Sequence, residues 1–251
     1  MKVIFHPSFY KVYTSDPAAG KGRMEAITRE LKGEFEFIEP EPASEEDLER
    51  VHGRSHIQYV KREPLVYEVA LLSAGGAILS SKLAFEGEPS FGLIRPPGHH
   101  ASPHSCWGFC YFNNIAISIK KLLSEEKIKT ALILDFDLHF GDGTANTFSG
   151  SKSVTYFHPE GTNRKLFMEE VQRCLRTEKP FDIVAISAGF DRHEEDWGGM
   201  LKTEDYFTIG KWAKEVSLER CEGRRFALLE GGYNHSVLGR NVKSFLQGFR
   251  D

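Results

Sequence analysis

The sequence predicts an α/β protein in which helices cover both faces of a mainly parallel β-sheet. Short β-prone apolar runs alternate with longer stretches of helical periodicity along the whole chain. Residues 183–187 are apolar on consecutive positions, as expected for a central strand buried on both faces. No long linker, internal repeat or low-complexity tract divides the 251 residues, so we expect a single domain over residues 1–251.

Seven strands and the helices between them account for this pattern. Ser44 followed by Asp47 predicts a capped helix start, and residues 67–85 have apolar side chains at helical spacing. Gly75 and Gly76 in that helix predict a closely packed neighbour. The strands are predicted at 3–5, 35–38, 91–94, 131–135, 154–157, 183–187 and 226–229.

Composition excludes several classes of protein. A formal net charge of -4 without a basic cluster argues against direct nucleic-acid binding. We expect no membrane-spanning segment, since no apolar run approaches about 20 residues, and no signal peptide at the amino terminus, which together predict a cytoplasmic protein. Four cysteines without metal-site spacing are expected to be reduced thiols, although Cys106 and Cys110 could form a redox-sensitive pair.

Polar or glycine-rich segments follow four of the predicted strands. They are residues 95–100, 135–143, 187–191 and 230–233. Ligands of an open parallel sheet bind beyond the carboxyl ends of its strands. We therefore expect the four segments to meet in one cleft.

Asp137, His139 and Asp191 form a candidate metal site in this cleft. Alternate residues of a strand point the same way, so Asp135, Asp137 and His139 can converge at the end of one strand. Two carboxylates and an imidazole suit zinc or another first-row divalent ion, and three protein ligands leave a position for water. The same residues would also fit a structural cation site or a helix cap.

Two histidines and a tyrosine are the candidate catalytic groups. Asp135 and Asp142 can accept hydrogen bonds from His99 and His100, which sets the tautomers and raises the basicity of the rings. Tyr233 follows two glycines and could aim its hydroxyl at a carbonyl opposite the metal. A narrow apolar channel could be lined by Gly108 and Phe109.

Together these segments resemble the zinc-dependent histone deacetylase family, which includes acetoin-utilization proteins and acetylpolyamine amidohydrolases. Five motifs occur in the family's order over most of the chain. They are Arg-Pro-Pro-Gly-His-His-Ala at 95–101, Gly-Phe-Cys-Tyr-Phe-Asn-Asn at 108–114, Asp-Phe-Asp-Leu-His-Phe-Gly-Asp-Gly at 135–143, Ser-Ala-Gly-Phe-Asp at 187–191 and Glu-Gly-Gly-Tyr at 230–233.

The resemblance implies an arginase/deacetylase-like fold and an enzyme that removes an acetyl or other acyl group from an amine such as acetyllysine or an acetylpolyamine. It implies zinc, with iron(II) as the alternative, and potassium beside the backbone of residues 135–139. A water activated by the metal would attack the acyl carbon. The implied roles are metal ligation by Asp137, His139 and Asp191, proton transfer by His99 and His100 with support from Asp135 and Asp142, and polarisation of the carbonyl by Tyr233.

The chain also departs from its relatives. Segments 60–66 and 158–164 are short, which predicts an open rim and leaves Phe157 and Trp197 as candidates for a second channel wall. The resemblance would place Arg23 near the cleft floor, where relatives have an arginine, but a surface position on a helix is the favoured interpretation. A binuclear manganese ureohydrolase is disfavoured because Arg192 and His193 follow Asp191 where a second carboxylate pair would stand. A non-catalytic acyl-amine-binding module is the other alternative, and the sequence leaves the oligomeric state open.

Overall fold

In the computed structural model, which describes residues 1–250, seven strands form one parallel sheet in the order β2-β1-β3-β7-β6-β4-β5. The predicted α/β fold class is confirmed, and each strand lies within two residues of its predicted position. The strands are β1 Lys2–Ile4, β2 Glu36–Ile38, β3 Ser90–Gly92, β4 Ala131–Asp135, β5 Val154–Phe157, β6 Val184–Ala188 and β7 Arg225–Leu229.

Helices cover both faces of the sheet. On β3, Phe91 packs against Phe245, whose ring centroid is 6.2 Å away. The next residue, Gly92, faces Ser80, whose hydroxyl a Cβ at Gly92 would approach to 3.2 Å. Successive strand residues point to opposite faces, so the helices that carry Phe245 and Ser80 lie on opposite sides. The helices are α1 Arg23–Leu31, α2 Glu45–Glu49, α3 Arg54–Val60, α4 Pro64–Phe85, α5 Asn114–Ser124, α6 Asp142–Thr147, α7 Arg164–Leu175, α8 Thr203–Arg220 and α9 His235–Phe249.

Helix α4 is the central helix of its face. A Cβ at Gly75 would lie 1.9 Å from the Glu41 carbonyl oxygen, and one at Gly76 would lie 2.6 Å from Ile94, which confirms the close packing predicted from these glycines. Contrary to our expectation from the sequence, α4 is long and apolar enough to span a membrane, but 61% of that window is buried inside the fold. Its contacts with β1, β3 and β7 are those of a core helix.

The four predicted site segments follow strands that are direct neighbours. In the sheet order, β3, β7, β6 and β4 are consecutive, and all run parallel. Asp135, the last residue of β4, lies in register with Ser187 of β6, and Ser187 with Leu228 of β7. The carboxyl ends of these strands therefore place the segments at one edge of the sheet, as the sequence predicts.

Candidate active site

Asp137, His139 and Asp191 lie together at this edge. Their ligand atoms are all within 4.8 Å of one another, and His139 Nδ1 is 3.2 Å from both Asp137 Oδ1 and Asp191 Oδ2. Asp191 Oδ1 accepts a hydrogen bond from the Leu138 amide at 3.0 Å. Among residues 1–250, its Oδ2 is buried and accepts no well-oriented hydrogen bond, although His139 Nδ1 lies 3.2 Å away. A buried carboxylate oxygen without a well-oriented donor is expensive unless a cation binds it, so this set fits a divalent metal.

Two glycines allow the strand ends to close around Asp137. A Cβ at Gly189, after β6, would lie 2.1 Å from Asp137 Oδ2, and one at Gly231, after β7, would lie 2.5 Å from the same atom. The Gly231 amide donates to this oxygen at 2.7 Å. Only a residue without a side chain permits this approach, which explains why glycine stands at both positions.

The metal-free set is electrostatically coupled. The neighbouring carboxylates of Asp137 and Asp191 raise the pKa of His139 to about 10. Burial and the charge of Asp137 raise the pKa of Asp191 to about 6. Burial opposes ionisation of Asp137, but the charge of His99 and hydrogen bonds from His139 lower its pKa below the usual range. Without a metal, the protonated His139 ring therefore supplies the positive charge between the two carboxylates, which a bound cation would otherwise supply.

His99 and His100 lie beside the metal set, each with its own carboxylate. His99 Nδ1 is 3.0 Å from Asp135 Oδ2, and His100 Nδ1 is 2.6 Å from Asp142 Oδ1. With the carboxylates as acceptors, each ring carries a proton on Nδ1 and presents Nε2 to the cleft. The ring centroids of the two histidines are 4.1 Å apart.

Burial and charge give the two histidines different proton affinities. Burial disfavours a charge on His99, but the charges of Asp135 and Asp137 raise its pKa well above the usual value. Burial and the neighbouring charge of His99 lower the pKa of His100 to about 4. In the metal-free protein near neutral pH, these shifts favour a charged His99 and a neutral His100.

Two aromatic residues that the sequence did not single out support the same carboxylates. Trp107 donates its indole N–H to Asp142 Oδ2 at 2.9 Å, and its ring centroid lies 4.1 Å from that of His100. The Tyr156 hydroxyl donates to Asp135 Oδ2 at 2.9 Å. Both are distant in sequence from the carboxylate they bind, so no local pattern marks them. Together they help to hold the acceptors of both histidines.

Tyr233 is held by the segment that follows Asp191. Gly232 has a φ of +117°, a conformation that favours glycine, and it turns the chain before Tyr233. Asp196 Oδ2 accepts a hydrogen bond from the backbone amide of Tyr233 at 2.8 Å. The Trp197 ring stacks on the Tyr233 ring with centroids 4.0 Å apart and an interplanar angle of 26°. Burial raises the pKa of Tyr233 well above its usual value, so the phenol keeps its proton.

Arg23 is not a surface residue, contrary to its interpretation from the sequence. It is fully buried. Its Nε donates to the Gly232 carbonyl at 2.8 Å and its Nη2 to the Glu230 carbonyl at 2.6 Å. Helix α1 begins at Arg23 and packs against α9, which carries the side chain inward. Arg23 thereby fixes the backbone that leads to Tyr233.

A cavity of about 120 Å³ opens between these groups. The predicted channel residues Gly108 and Phe109 line it, and so do Trp107 and Trp197. Phe157 does not line this cavity but another one, with Leu132 and Thr155, so its proposed role as a channel wall is wrong. The other lining residues are Pro97, His99, His100, His139, Gly231 and Tyr233.

The fold and the site define a class of protein: an α/β protein with a candidate mononuclear metal site and a histidine pair at the carboxyl ends of its strands. The family model described as Histone deacetylase domain matches residues 18–167 and 159–249. The chain belongs to the histone deacetylase family.

Several known proteins are similar to this chain. A probable deacetylase of Methanothermobacter thermautotrophicus is 30% identical over 98% of this chain and 90% of its own length. One of Archaeoglobus fulgidus is 31% identical over 92% and 81%. A histone deacetylase-like amidohydrolase of Pseudomonas aeruginosa is 27% identical over 83% and 70%. The crystal structure of the HDA15 HD domain matches 99% of this chain with a TM-score of 0.85 at 22% identity, a likeness of fold.

Proposed function

We propose that this protein is a zinc-dependent amidohydrolase that removes an acetyl or other acyl group from an acylated amine. Membership in the histone deacetylase family and the names of its relatives support deacetylase or amidohydrolase chemistry. The observation that carries the proposal is that His139, the histidine pair and Tyr233 line one cavity, with the buried carboxylates of Asp137 and Asp191 within ligand distance of His139.

Asp137, His139 and Asp191 would hold the metal, with zinc as the first candidate and iron(II) as the second. A divalent ion at this position would polarise the acyl carbonyl and make a bound water more acidic. Asp135 is not available as a further ligand, because its side-chain oxygens already accept hydrogen bonds from His99, Tyr156 and the Asp137 amide. This favours one ion rather than two.

His100 is the proposed base. Its neutral state near pH 7 leaves Nε2 free to take a proton from the attacking water, while Asp142 holds the proton on Nδ1. The same Nε2 can return the proton to the leaving amine. His99 is held by Asp135 at Nδ1 and lines the same cavity, so its protonated ring would supply a positive charge near the reacting carbonyl.

Tyr233 is the proposed donor to the acyl oxygen. Its phenol keeps its proton, and its backbone and ring are fixed by Asp196 and Trp197. A donor that is already oriented stabilises the negative charge that develops on the acyl oxygen without a reorganisation cost.

The substrate would enter between two indole rings. Trp107 and Trp197 line the cavity and are 57% and 54% exposed, so they would flank the entry of a slender acylated amine. Acetyllysine in a flexible tail and an acetylpolyamine both meet this description. The aromatic faces would also attract the positive charge of a second amine on a polyamine.

A product assay tests this function. Metal-free protein would be reloaded with zinc or iron(II) and supplied in parallel with acetyllysine peptides and acetylpolyamines, with Tyr233→Phe as the matched control. We expect metal-dependent release of acetate and free amine. Binding of both substrates without product would favour the binding module, and urea release from a guanidino substrate with two manganese ions would favour the ureohydrolase.

A further inference from the structure

Arg192 is a buried arginine beneath the candidate metal site. It follows Asp191, is 5% exposed, and reaches across the loops that leave β4 and β5. Its Nε donates to the Asp137 carbonyl at 3.0 Å, and its Nη2 lies 3.3 Å from the carbonyl oxygens of Leu138 and Pro159. The guanidinium therefore joins main-chain oxygens of two different loops.

The surroundings of this guanidinium are built to hold a cation. Its carbon lies 4.4 Å from the centroid of the buried Phe167 ring, in a cation–π arrangement. Nη2 is 3.2 Å from His158 Nε2, which can accept a hydrogen bond from it. Its hydrogen-bond acceptors among residues 1–250 are thus neutral, while Asp191, Asp137 and Asp135 act on it at longer range.

A potassium ion beside this segment would compete with Arg192. The resemblance to the family implies a monovalent cation at the backbone of residues 135–139, and potassium binds main-chain carbonyl oxygens. Here the carbonyls of Asp137 and Leu138 already accept hydrogen bonds from Arg192. Two unit charges about 4 Å apart, at an effective dielectric constant of about 20, repel enough to weaken binding roughly a thousandfold.

We infer that Arg192 is a positioning residue that supplies from within the chain the positive charge at the backbone of residues 135–139, and that this segment binds no monovalent cation. By holding the carbonyls of Asp137 and Leu138 while its neighbour Asp191 ligates the metal, Arg192 ties two metal-binding loops together. A tethered guanidinium does this at any potassium concentration.

Rubidium, a heavy analogue of potassium, gives a direct test. Crystals of the wild type and of Arg192→Ala would be grown in rubidium chloride and compared by anomalous scattering. We expect no peak near the Asp137 carbonyl in the wild type and a new peak there in the variant. A wild-type peak within coordination distance of the Asp137 and Leu138 carbonyls would overturn the inference, and that half of the test does not require the variant to fold.

Thermal unfolding provides a second readout. The unfolding temperature of Arg192→Ala should rise more with potassium chloride than with tetramethylammonium chloride, and its apparent potassium affinity should exceed that of the wild type at least about a hundredfold. Guanidinium chloride at low millimolar concentration should also stabilise this variant. An equal potassium response in wild type and variant would contradict the inference.

Arg225→Ala is the matched control. Arg225 is also buried, donates to the main-chain carbonyls of Phe249 and Gly223, and lies over the Phe249 ring, but it stands at the start of β7. The Arg225→Ala variant should be less stable than the wild type, but potassium chloride should not raise its unfolding temperature more than tetramethylammonium chloride does. None of these readouts depends on hydrolysis, so they can fail or succeed independently of the proposed function.

Discussion

The candidate metal site lies in a buried corner of the cleft, and the rim of the cleft is exposed. The side chains of this corner and of the rim are held in place by different kinds of contact. Asp137 and Asp191 are almost fully buried and are held by main-chain amides. Trp107 and Trp197, at the rim, are more than half exposed. Trp107 is held by a hydrogen bond to Asp142 and by packing on His100, and Trp197 is held by its stack on Tyr233. Under the proposed function, this difference predicts that the corner performs the chemistry and the rim selects the substrate. Substitutions should therefore affect turnover at the corner and selectivity at the rim.

Loss of a metal ligand should have the largest effect. Asp191→Asn would remove the charge of the buried carboxylate and should lower both metal affinity and turnover by about 10³-fold or more. Metal analysis after dialysis, combined with acetate release, checks this. Glu194→Gln, an exposed change three residues away, is the control and should retain both. Full metal content in Asp191→Asn would remove Asp191 from the proposed ligand set.

Tyr233→Phe should have the next largest effect. Loss of one preoriented donor to the acyl oxygen should lower kcat by about 10²–10³-fold while the bound metal is retained. The ring stack on Trp197 should survive because phenylalanine keeps the aromatic face. Steady-state kinetics with a metal assay on the same samples measures both quantities. Turnover equal to that of the wild type would exclude Tyr233 from the mechanism.

The pH dependence of metal binding tests the coupling within the corner. Because the pKa of His139 is raised to about 10 in the metal-free protein, a metal must displace its proton at pH 7. Metal affinity should therefore rise about tenfold per pH unit from pH 7 towards about pH 10, and calorimetry in buffers of different ionisation enthalpy should detect about one released proton. Affinity independent of pH in this range would contradict the assignment.

The same shift predicts how the stability of the metal-free protein depends on pH. The pKa of His139 is higher in the folded state than its usual value of 6.5. Its contribution to the free energy of unfolding is therefore fully present below about pH 6.5 and is lost as the pH rises through about 10. The unfolding temperature of the metal-free protein should fall over this range, and His139→Gln should remove that part of the decline.

Substitution at the rim should give the smallest effect on turnover. Trp197→Ala would widen the entry of the cavity, so the ratio of kcat/KM for a butyryl over an acetyl substrate should rise about tenfold, which is the low end of what a methylene-sized pocket change produces. Because Trp197 also stacks on Tyr233, Trp197→Phe is the control that keeps a ring there. An unchanged ratio in Trp197→Ala would place substrate selection elsewhere.

The sequence predicted those parts of the molecule that are encoded locally. All seven strands and the four site segments follow from apolar runs that end in polar or glycine-rich residues. The partners that reach the site from elsewhere in the chain were missed, as with Tyr156 on Asp135 and Arg192 on the Asp137 carbonyl. Such contacts depend on the order of the strands, which no local pattern reveals.

Phe157 shows how one position on a strand can mislead. It is next to Tyr156 on β5, and the Tyr156 hydroxyl reaches Asp135. Successive strand side chains point to opposite faces, so Phe157 must point away from the site. The sequence correctly placed Phe157 at the end of a strand, but it did not reveal to which face of the sheet the Phe157 side chain points. Arg23 was misjudged for a similar reason, since the burial of α1 against α9 is a tertiary contact.

A metal titration of acetate release tests the central claim most directly. Metal-free protein would receive increasing zinc at saturating acylated amine, and the initial rate of acetate release would be followed. We predict no rate without metal and a linear rise that ends at one ion per chain, with the same end point in Trp197→Ala. Full activity without metal, or a rise that continues to two ions per chain, would contradict a single catalytic ion held by Asp137, His139 and Asp191.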